Sequence, residues 1–377
     1  MLAGLASYAL LEALDRVTRT RLDHPWLVWL LPVVGIGIGV VHERWGGRAV
    51  AGNALLVDEI HEPTMWVPRR MAPLVFAGTL VSHLFGASVG REGTALQMSG
   101  SLTDLVARHL HLPPEDRRLL LIAALASGFG SIFGVPWAGA VFAIEVQSIG
   151  RAAYRAAAPA LAASFVGDRV VRVLGYHHSP TTHLHLPILG LVLLKVAAAG
   201  IAFGLTARAF LALAHLLQAR STAILRTRPA RLAVGGLVNI GLIALVGRAY
   251  VGLSLPLIDH TLAGHAPPGG AFALKLLFTA LALGFGYPGG EVTPLFVIGA
   301  ALGGALARVL HLGVGLLGSV GFVAVFAGAA NVPVACTVMG MELFGVPAGL
   351  VMAVGSTIAF ACSGRMGLYV RHHPTPV

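Results

Sequence analysis

Apolar runs follow one another along nearly the whole chain, with little polar sequence between them. Of the 377 residues, 56% are hydrophobic and only 11% are Asp, Glu, Lys or Arg. Because soluble domains carry about 25% charged residues, a soluble globule is nearly excluded, and so is a disordered or fibrous chain. The pattern predicts an all-α polytopic membrane protein that crosses a lipid bilayer several times.

Several of these runs have lengths that do not suit a single membrane-spanning helix. A simple span needs about 20 apolar residues, yet the run over 156–166 is shorter and the uncharged run over 309–341 is much longer. The long run therefore predicts two helices with a buried break near residues 328–333. Broken helices at membrane depth are tolerated only where protein buries them or they line a cavity, and in matching halves they indicate a transporter site.

The two halves of the chain do match. Residues 135–145 align with 332–342 at an offset of 197, with Val, Pro, Ala, Val and Glu identical. Glu92-Gly-Thr94 resembles Glu291-Val-Thr293 at an offset of 199. Two blocks in the same order predict a two-fold internal repeat, as many transporters have. Periodicity alone leaves open whether the repeats are parallel or inverted.

The repeat divides the chain into five predicted parts. These are an N-terminal amphipathic lead-in over 1–25, a first membrane repeat over 26–172, connecting helices and loops over 173–231, a second membrane repeat over 232–369 and a short tail over 370–377. The net charge of +10 is explained by arginines at the ends of segments, where basic residues anchor and orient membrane proteins. No nucleic-acid partner is expected.

The Gly-Arg-Glu-Gly-Thr stretch over 90–94 combines glycines, a helix start and a carboxylate within an apolar region. Backbone N–H groups at a helix N-terminus carry a partial positive charge and bind anions. Glu92 could therefore fill the anion position itself and leave it when protonated. The alternative is a glutamate that merely caps the helix.

The stretch over 289–294, Gly-Gly-Glu-Val-Thr-Pro, is the predicted repeat counterpart. Proline suits a first helical turn, so a helix is expected to start here as well. If both breaks meet at the membrane midplane, two helix N-termini, Glu92, Glu291 and Thr293 surround one anion. The alternative is a glycine-rich kink with Glu291 facing a loop.

Together with Gly130–Gly139 (Gly-Ser-Ile-Phe-Gly-Val-Pro-Trp-Ala-Gly), these two stretches resemble the signature sequences of CLC anion channels and transporters. The resemblance runs from about Trp26 to Tyr369. It implies an inverted two-fold repeat of broken and re-entrant helices, and a homodimer with one pore per subunit. Anions then bind where helix N-termini meet.

The departures from the chloride-type pattern indicate a branch of that family. Thr94 replaces the proline of Gly-Arg-Glu-Gly-Pro, residues 52–56 (Gly-Asn-Ala-Leu-Leu) stand where Gly-Ser-Gly-Ile-Pro is usual, and Glu-Val-Thr occupies 291–293. These features resemble the fluoride-exporting CLC branch. The resemblance implies a fluoride/proton antiporter of a bacterial inner membrane, with fluoride and protons as its partners. The main alternative is a chloride-selective channel or a chloride/proton exchanger, and a channel that merely leaks fluoride is a further one.

The resemblance also assigns roles to individual residues. Glu92 matches the gating glutamate that carries protons, and Glu291 an additional proton-pathway residue. The predicted anion-binding residues are Asn53, Gly90, Arg91, Gly93, Val292, Thr293 and Tyr369. Exchangers of chloride have a second glutamate after the position of Glu145, but this chain has Val146. A chloride-type proton path is therefore interrupted.

Other polar residues are given structural roles. Glu145 and Glu342 are interpreted as helix-end carboxylates. The acidic run over 58–62 is interpreted as capping and neutralising the loop of Arg69 and Arg70, and the alternative is that it contributes to a vestibule. The histidines between 177 and 185 are read as solvated rather than metal-binding, so no metal or cofactor is expected. An enzyme is disfavoured, because neither His-Glu pair of the chain has a second histidine at the spacing of a zinc protease motif.

Overall fold

The computed structural model describes residues 1–147, 154–178, 184, 190–364 and 366–369. Within these ranges the chain is helical, and its one isolated β-bridge joins Gly90 to Gly290. The helices are α1 Leu2–Asp23, α2 Leu31–Val41, α3 Asn53–His61, α4 Met71–Leu84, α5 Glu92–His109, α6 Pro114–Phe133, α7 Pro136–Glu145, α8 Ala157–Val173, α9 Gly190–Ile224, α10 Arg228–Val246, α11 Leu255–Leu262, α12 Ala271–Gly284, α13 Val292–Leu310, α14 Val314–Ala330, α15 Pro333–Phe344 and α16 Gly349–Ser363.

Five helical segments are long and apolar enough to cross a membrane. They are Pro25–His61, Gly190–Ile224, Arg228–Val246, Val292–Leu310 and Val346–Ser363. Shorter apolar helices, among them α4, α12, α14 and α15, complete the bundle. The predicted break in the long uncharged run is confirmed, because α14 ends at Ala330 and α15 begins at Pro333.

The two halves of the fold correspond helix by helix. The first residues of α4 and α12, of α5 and α13, and of α6 and α14 each lie 200 positions apart. The offset falls to 197 at α7 and α15, because α14 has 17 residues where α6 has 20. Helix α1 packs on α4, α5, α6 and α8 as α9 packs on α12, α13, α14 and α16.

This correspondence supports repeat boundaries other than those predicted from the sequence. Helix α1 buries Leu10, Leu11 and Leu14 completely, and α9 buries Phe203 and Phe210, so both helices pack in the interior of the bundle. We propose that the first repeat runs from α1 to α8 and the second from α9 to α16, in place of 26–172 and 232–369. The predicted tail over 370–377 lies outside the described residues.

The residue register between the two glycine-rich breaks also differs from the sequence prediction. Helix α5 begins at Glu92 and α13 at Val292, and the β-bridge pairs Gly90 with Gly290. Glu92 therefore corresponds to Val292, and Arg91 to Glu291. The pairing of Glu92 with Glu291 was wrong by one position, because Glu-x-Thr recurs in the second half displaced by one residue.

The α7–α15 pair establishes that the repeats are inverted. The Glu145 carboxylate at the end of α7 accepts two backbone N–H bonds from the first turn of α15, at 3.0 and 2.7 Å. The Glu342 carboxylate on the last turn of α15 accepts two from the first turn of α7, at the same distances. Since each helix end meets the other's start, the related helices are antiparallel. The interpretation of both glutamates as helix-end carboxylates is confirmed.

Candidate anion-binding site

The starts of α5 and α13 lie side by side in the interior of the protein. The Gly90 N–H donates to the Gly290 carbonyl, and the Gly290 N–H donates to the Gly90 carbonyl at 2.8 Å. This reciprocal pair holds the two breaks together before either helix begins. Two positive ends of helix dipoles therefore converge on one region.

The Glu92 side chain is completely buried and crosses from α5 to the start of α13. Its Oε2 accepts from the N–H groups of Arg91 at 3.0 Å and Thr293 at 3.1 Å. Its Oε1 accepts from the Thr293 hydroxyl. The carboxylate thus occupies a position at a helix N-terminus that an inorganic anion could take in its place.

Two glycines make this approach possible. A Cβ atom on Gly90 would lie 2.6 Å from Glu92 Oε2 and 2.9 Å from the Gly290 carbonyl oxygen. A Cβ atom on Gly93 would lie 3.1 Å from Asn53 Nδ2 and 3.2 Å from the Gly290 Cα. A side chain at Gly90 would displace the carboxylate, and one at Gly93 would push α3 and α13 away.

Asn53, the first residue of α3, adds a third helix start to the region. Its Oδ1 is buried and has no hydrogen-bond partner among the described residues. The amide of Gln97 lies close by, 3.3 Å from the Cβ position of Gly52 and 3.9 Å from that of Gly93. The sequence reasoning missed Gln97, although its place one helical turn after Gly93 puts it on the same face of α5.

Tyr369 belongs to the same region although it follows the last helix. The Leu368 N–H donates to the Ala329 carbonyl at 2.9 Å, and the Tyr369 ring meets Phe142 edge-on at 5.8 Å between centroids. Its hydroxyl is buried without a hydrogen-bond partner in the described part of the chain. Through Phe142 the ring joins the aromatic cluster that reaches Phe296 near the start of α13.

Glu291 immediately precedes α13 and is half-buried. Among the described residues its carboxylate forms no ion pair, although it interacts electrostatically with Glu92. Val292 is completely buried behind it. Arg91 lies with its Nε 3.9 Å from Glu92 Oε1, so the two breaks place one guanidinium and two carboxylates together.

Thr94, the residue that replaces the family's proline, has a defined contact. Its hydroxyl lies 2.6 Å from that of Thr79, and both side chains are buried. The bond ties α4 to the first turn of α5, close to Glu92. In the structural register the corresponding residue of the second repeat is Pro294, so the proline absent from the first break is present in the second.

A cluster of aromatic rings packs around Tyr369 and α13. Phe129 stacks on Phe142 at 4.1 Å, and Phe296 stacks on Phe322 at the same centroid distance. Phe133 and Phe326 each contact Phe296 and Phe129, so that they join the two stacks. The sequence could not assign these phenylalanines, because they come from helices far apart in the chain.

Two structural interpretations of polar stretches meet different outcomes. Glu59 of the acidic run accepts from the backbone N–H groups of Thr64 and Met65, so it caps the loop that leads to Arg69 and Arg70, as predicted. Its charge, however, pairs with Arg48 at 2.7 Å and Arg117 at 3.3 Å, so for Glu59 the predicted neutralisation of Arg69 and Arg70 was wrong. The histidine stretch is described only in part, since residues 183 and 185 lie outside the described ranges. Within those ranges no group of three or more potential ligands could hold a metal ion.

Comparison with known proteins places this broken-helix fold in a family. The sequence profile of the family described as "Voltage gated chloride channel" matches residues 34–364. The chain therefore belongs to the voltage-gated chloride channel, or CLC, family, as the signature stretches predicted.

Individual relatives agree with this assignment. A protein of Pseudomonas syringae pv. tomato named "Chloride/fluoride channel protein" is 44% identical over 380 residues, which cover 98% of this chain and 83% of that protein. The H(+)/Cl(-) exchange transporter ClcA of Cronobacter sakazakii is 28% identical, covering 91% of this chain and 80% of that protein. The crystal structure of a CLC-type fluoride/proton antiporter superposes with a TM-score of 0.94 at 28% identity, covering 98% of this chain and 94% of the other.

Proposed function

We propose that this protein exports fluoride across a bacterial inner membrane in exchange for protons. The observation that carries the proposal is the position of Glu92, whose buried carboxylate accepts the backbone and hydroxyl donors at the start of α13. An ionisable side chain at such depth marks an ion or proton pathway by default. Here the carboxylate stands in the place of the transported anion.

The proposed exchange follows from competition for these donors. Fluoride entering the site takes the N–H and hydroxyl of Thr293 from Glu92. Displaced from its donors, the carboxylate takes up a proton and swings away, so that anion and proton movements are linked. When fluoride leaves, Glu92 releases its proton and returns to the start of α13.

The donor set suits a small and strongly hydrated anion. Extraction of fluoride from water requires many hydrogen-bond donors at short range, since each lost hydration contact must be replaced. The amides of Asn53 and Gln97 lie beside Gly93 in the first turn of α5, and the buried Tyr369 hydroxyl has no hydrogen-bond partner among the described residues. We assign the anion-binding role to these residues, with the backbone of Gly90, Arg91, Gly93 and Val292.

Glu291 is the proposed second proton carrier. It is half-buried, forms no ion pair within the described ranges and interacts with Glu92. Because Glu291 is protonatable and lies just before α13, it offers protons a route to Glu92. This route does not need the second glutamate of chloride exchangers, whose place is taken by Val146. The names of the Pseudomonas relative and of the superposed antiporter, which both include fluoride, support this choice over chloride.

The association of two copies is also proposed. Trp137, Phe165 and Val334 expose large apolar side chains on the neighbouring helices α7, α8 and α15. Such a surface suits burial against a second copy within the bilayer, as the family resemblance implies.

The test is ion efflux from liposomes that contain the purified protein, with fluoride and external pH recorded together. We expect the native protein to release fluoride faster than chloride and to take up protons as it does so. Glu92→Gln should abolish the proton movement, because the amide cannot carry a proton between the two positions. Glu12→Gln is the matched control, since Glu12 pairs with Arg16 on the exposed face of α1.

Three outcomes would contradict the proposal. Equal rates for chloride and fluoride would favour the chloride-selective alternative. Fluoride release that ignores an opposing proton gradient would favour a channel. Proton-coupled fluoride movement that persists unchanged in Glu92→Gln would remove Glu92 from the mechanism.

A further inference from the structure

A second pocket lies away from the anion site. It opens at the start of α4 and the end of α5, whereas the anion site includes the start of α5. Its volume is about 410 Å³, within the range that holds small organic ligands, and it lies between the linker before α4 and the last turns of α5. The residues that line it include Trp66, Arg69, Arg70, Asp104, Leu105 and Arg108.

Three arginines give this pocket an uncompensated positive charge. Arg69, Arg70 and Arg108 are exposed, and none of them forms an ion pair with any other residue that the structure describes. Their guanidinium groups are therefore available to an anion. Arginine is well suited to phosphate, because its planar fork donates two parallel hydrogen bonds.

The acidic residues closest to the pocket are already engaged. Asp104 accepts from Arg117 Nε at 2.6 Å and from the Val67 N–H at 2.6 Å. Glu59 accepts from Arg117 and Arg48. The two carboxylates thus neutralise the buried Arg117 instead of the arginines on the pocket rim.

The pocket lies where the protein surface passes from apolar to polar. The apolar helix α4 begins one residue beyond Arg70, and α5 ends one residue beyond Arg108. Trp66 is half-buried beneath the Arg117 guanidinium, 4.7 Å from its ring centroid, and Leu105 is exposed beside the arginines. Tryptophan is enriched at membrane–water interfaces. The rim of the pocket therefore combines exposed guanidinium groups with an exposed apolar side chain, as a headgroup with its acyl chain would require.

This end of the protein is rich in arginine. Arg48 and Arg117 meet at Glu59, next to the three arginines of the pocket rim. Basic residues concentrate on the cytoplasmic side of membrane proteins, and basic pockets between helices on that side bind anionic lipid headgroups.

We propose that the pocket binds the phosphate headgroup of an anionic phospholipid from the cytoplasmic leaflet. Arg69, Arg70 and Arg108 hold the phosphate, and an acyl chain follows the exposed side of Leu105. Inorganic phosphate shares the headgroup chemistry, but it would gain nothing from Leu105 or from the interfacial position. The site is independent of which anion the protein transports.

Arg117 connects this lipid site to the anion site. It binds Glu59 near the end of α3 and Asp104 in the second half of α5, while Asn53 and Glu92 stand at the starts of the same two helices. Arg117 also stacks over Trp66 of the linker over 66–70. A headgroup that orders this linker therefore acts on Arg117, which joins α3 to α5.

The experiment compares lipid binding by delipidated protein in detergent, followed by native mass spectrometry. Phosphatidylglycerol, phosphatidylcholine and inorganic phosphate are the probes. The test variant is R69Q/R70Q/R108Q, and the matched control is R19Q/R169Q/R226Q, which removes the same charge at exposed positions elsewhere. Because each basic residue near an anionic headgroup contributes roughly fivefold to binding, the test variant should bind phosphatidylglycerol about a hundredfold more weakly.

The proposal also predicts the results for the control variant, for phosphatidylcholine and for a conservative variant. The control should bind phosphatidylglycerol within about twofold of the native protein, and phosphatidylcholine should bind weakly to all three. The conservative triple Arg→Lys variant should fall between native protein and R69Q/R70Q/R108Q, because it keeps the charge but loses the bidentate geometry. Equal phosphatidylglycerol affinity in the test variant and the control would overturn the proposal. Displacement of the lipid by an equimolar amount of inorganic phosphate would do so too, by assigning the pocket to a soluble anion.

Discussion

Two pairs of repeat-related helices meet in this protein, and they use their carboxylates differently. In the α7–α15 pair, Glu145 and Glu342 each accept two backbone N–H bonds from the other helix, with matching distances of 3.0 and 2.7 Å. In the α5–α13 pair, Glu92 lies within its helix and Glu291 lies before the other. Only Glu92 crosses to the partner helix in the second pair.

We interpret this difference as one of function: the α7–α15 pair holds the two repeats together, and the α5–α13 pair binds the transported ion. Where both halves make the same contact, a carboxylate fills each of the two helix starts. Where Val292 stands in the place of Glu92, the crossing has no reciprocal, and one carboxylate alone decides whether the start of α13 is filled. Divergence from the two-fold symmetry therefore marks the candidate site.

The largest expected effect tests the symmetric pair. Glu145→Ala and Glu342→Ala should each lower the free energy of unfolding by about 2 kcal/mol, because each removes the two charge-assisted bonds that cap the start of the other helix. The double variant should lose about 4 kcal/mol, since the two caps share no partner and separate sites add. Unfolding in mixed detergent micelles measures all three values.

The symmetry makes this prediction easy to contradict. If one single variant were destabilised more than twice as much as the other, the two contacts would not be equivalent. A changed ratio of protons to fluoride in liposomes containing either variant would give the α7–α15 pair a role in transport, and the two helix pairs would then not differ in function.

Much of the fold could be predicted from the sequence, because the determinants are local. The uncharged run over 309–341 is too long for one helix, and Pro333 supplies the first turn of the second helix, so the break could be located. The offset of 197 was also correct, because Pro136 and Pro333 begin repeat-related helices. The roles of α1 and α9 could not be predicted, since their contacts are with helices distant in the chain.

The candidate site was predictable in its parts but not in its register. Glycines flanking a glutamate identify a helix start within an apolar run, and the resemblance to the family gave each residue a role. The alignment of Glu92 with Glu291, which rested on residue identity, was nevertheless wrong by one residue. A recurring Glu-x-Thr sequence does not reveal at which residue a helix begins. Gln97 and the phenylalanines were missed because their positions depend on how α3, α5 and α13 pack.

A second prediction concerns the α5–α13 pair, in which only Glu92 crosses to the partner helix. Thr293 donates to the Glu92 carboxylate and, in the proposed mechanism, to fluoride, so the two effects of Thr293→Val oppose each other in the native protein. In a Glu92→Ala background the competitor is gone. There Thr293→Val should weaken fluoride binding about tenfold or more, since a hydrogen bond to a charged group is worth about 1.5–3 kcal/mol. Isothermal titration calorimetry with fluoride measures the change.

The conservative substitution provides the control for this measurement. Thr293→Ser keeps the hydroxyl and removes only a methyl group, so its fluoride affinity in the same background should stay within about twofold of the parent. An unchanged affinity in Thr293→Val would mean that the hydroxyl binds the carboxylate without serving the anion.

The smallest expected effect concerns a second departure from symmetry, between Thr79 and Thr279. These residues lie at equivalent positions of α4 and α12. The Thr79 hydroxyl bonds that of Thr94 at 2.6 Å. The Thr279 hydroxyl has no such partner, because Pro294 stands in the place of Thr94, and it bonds the Ser88 hydroxyl at 2.9 Å instead.

Valine at either position removes one hydroxyl, but the groups left behind differ. In Thr79→Val the Thr94 hydroxyl stays buried without a partner from α4, which should lower the free energy of unfolding by about 1–2 kcal/mol. In Thr279→Val the Ser88 hydroxyl keeps the Lys275 ammonium at 2.9 Å, so the loss should be about 0.5–1 kcal/mol. Adding Thr94→Val to Thr79→Val should recover part of the loss, because replacing both partners leaves no unpaired group. Equal losses of unfolding free energy in the two single variants would mean that α5, with Thr94, and α13, with Pro294, are held equally firmly at their starts. The asymmetry between the two repeats at this site would then rest on Glu92 alone.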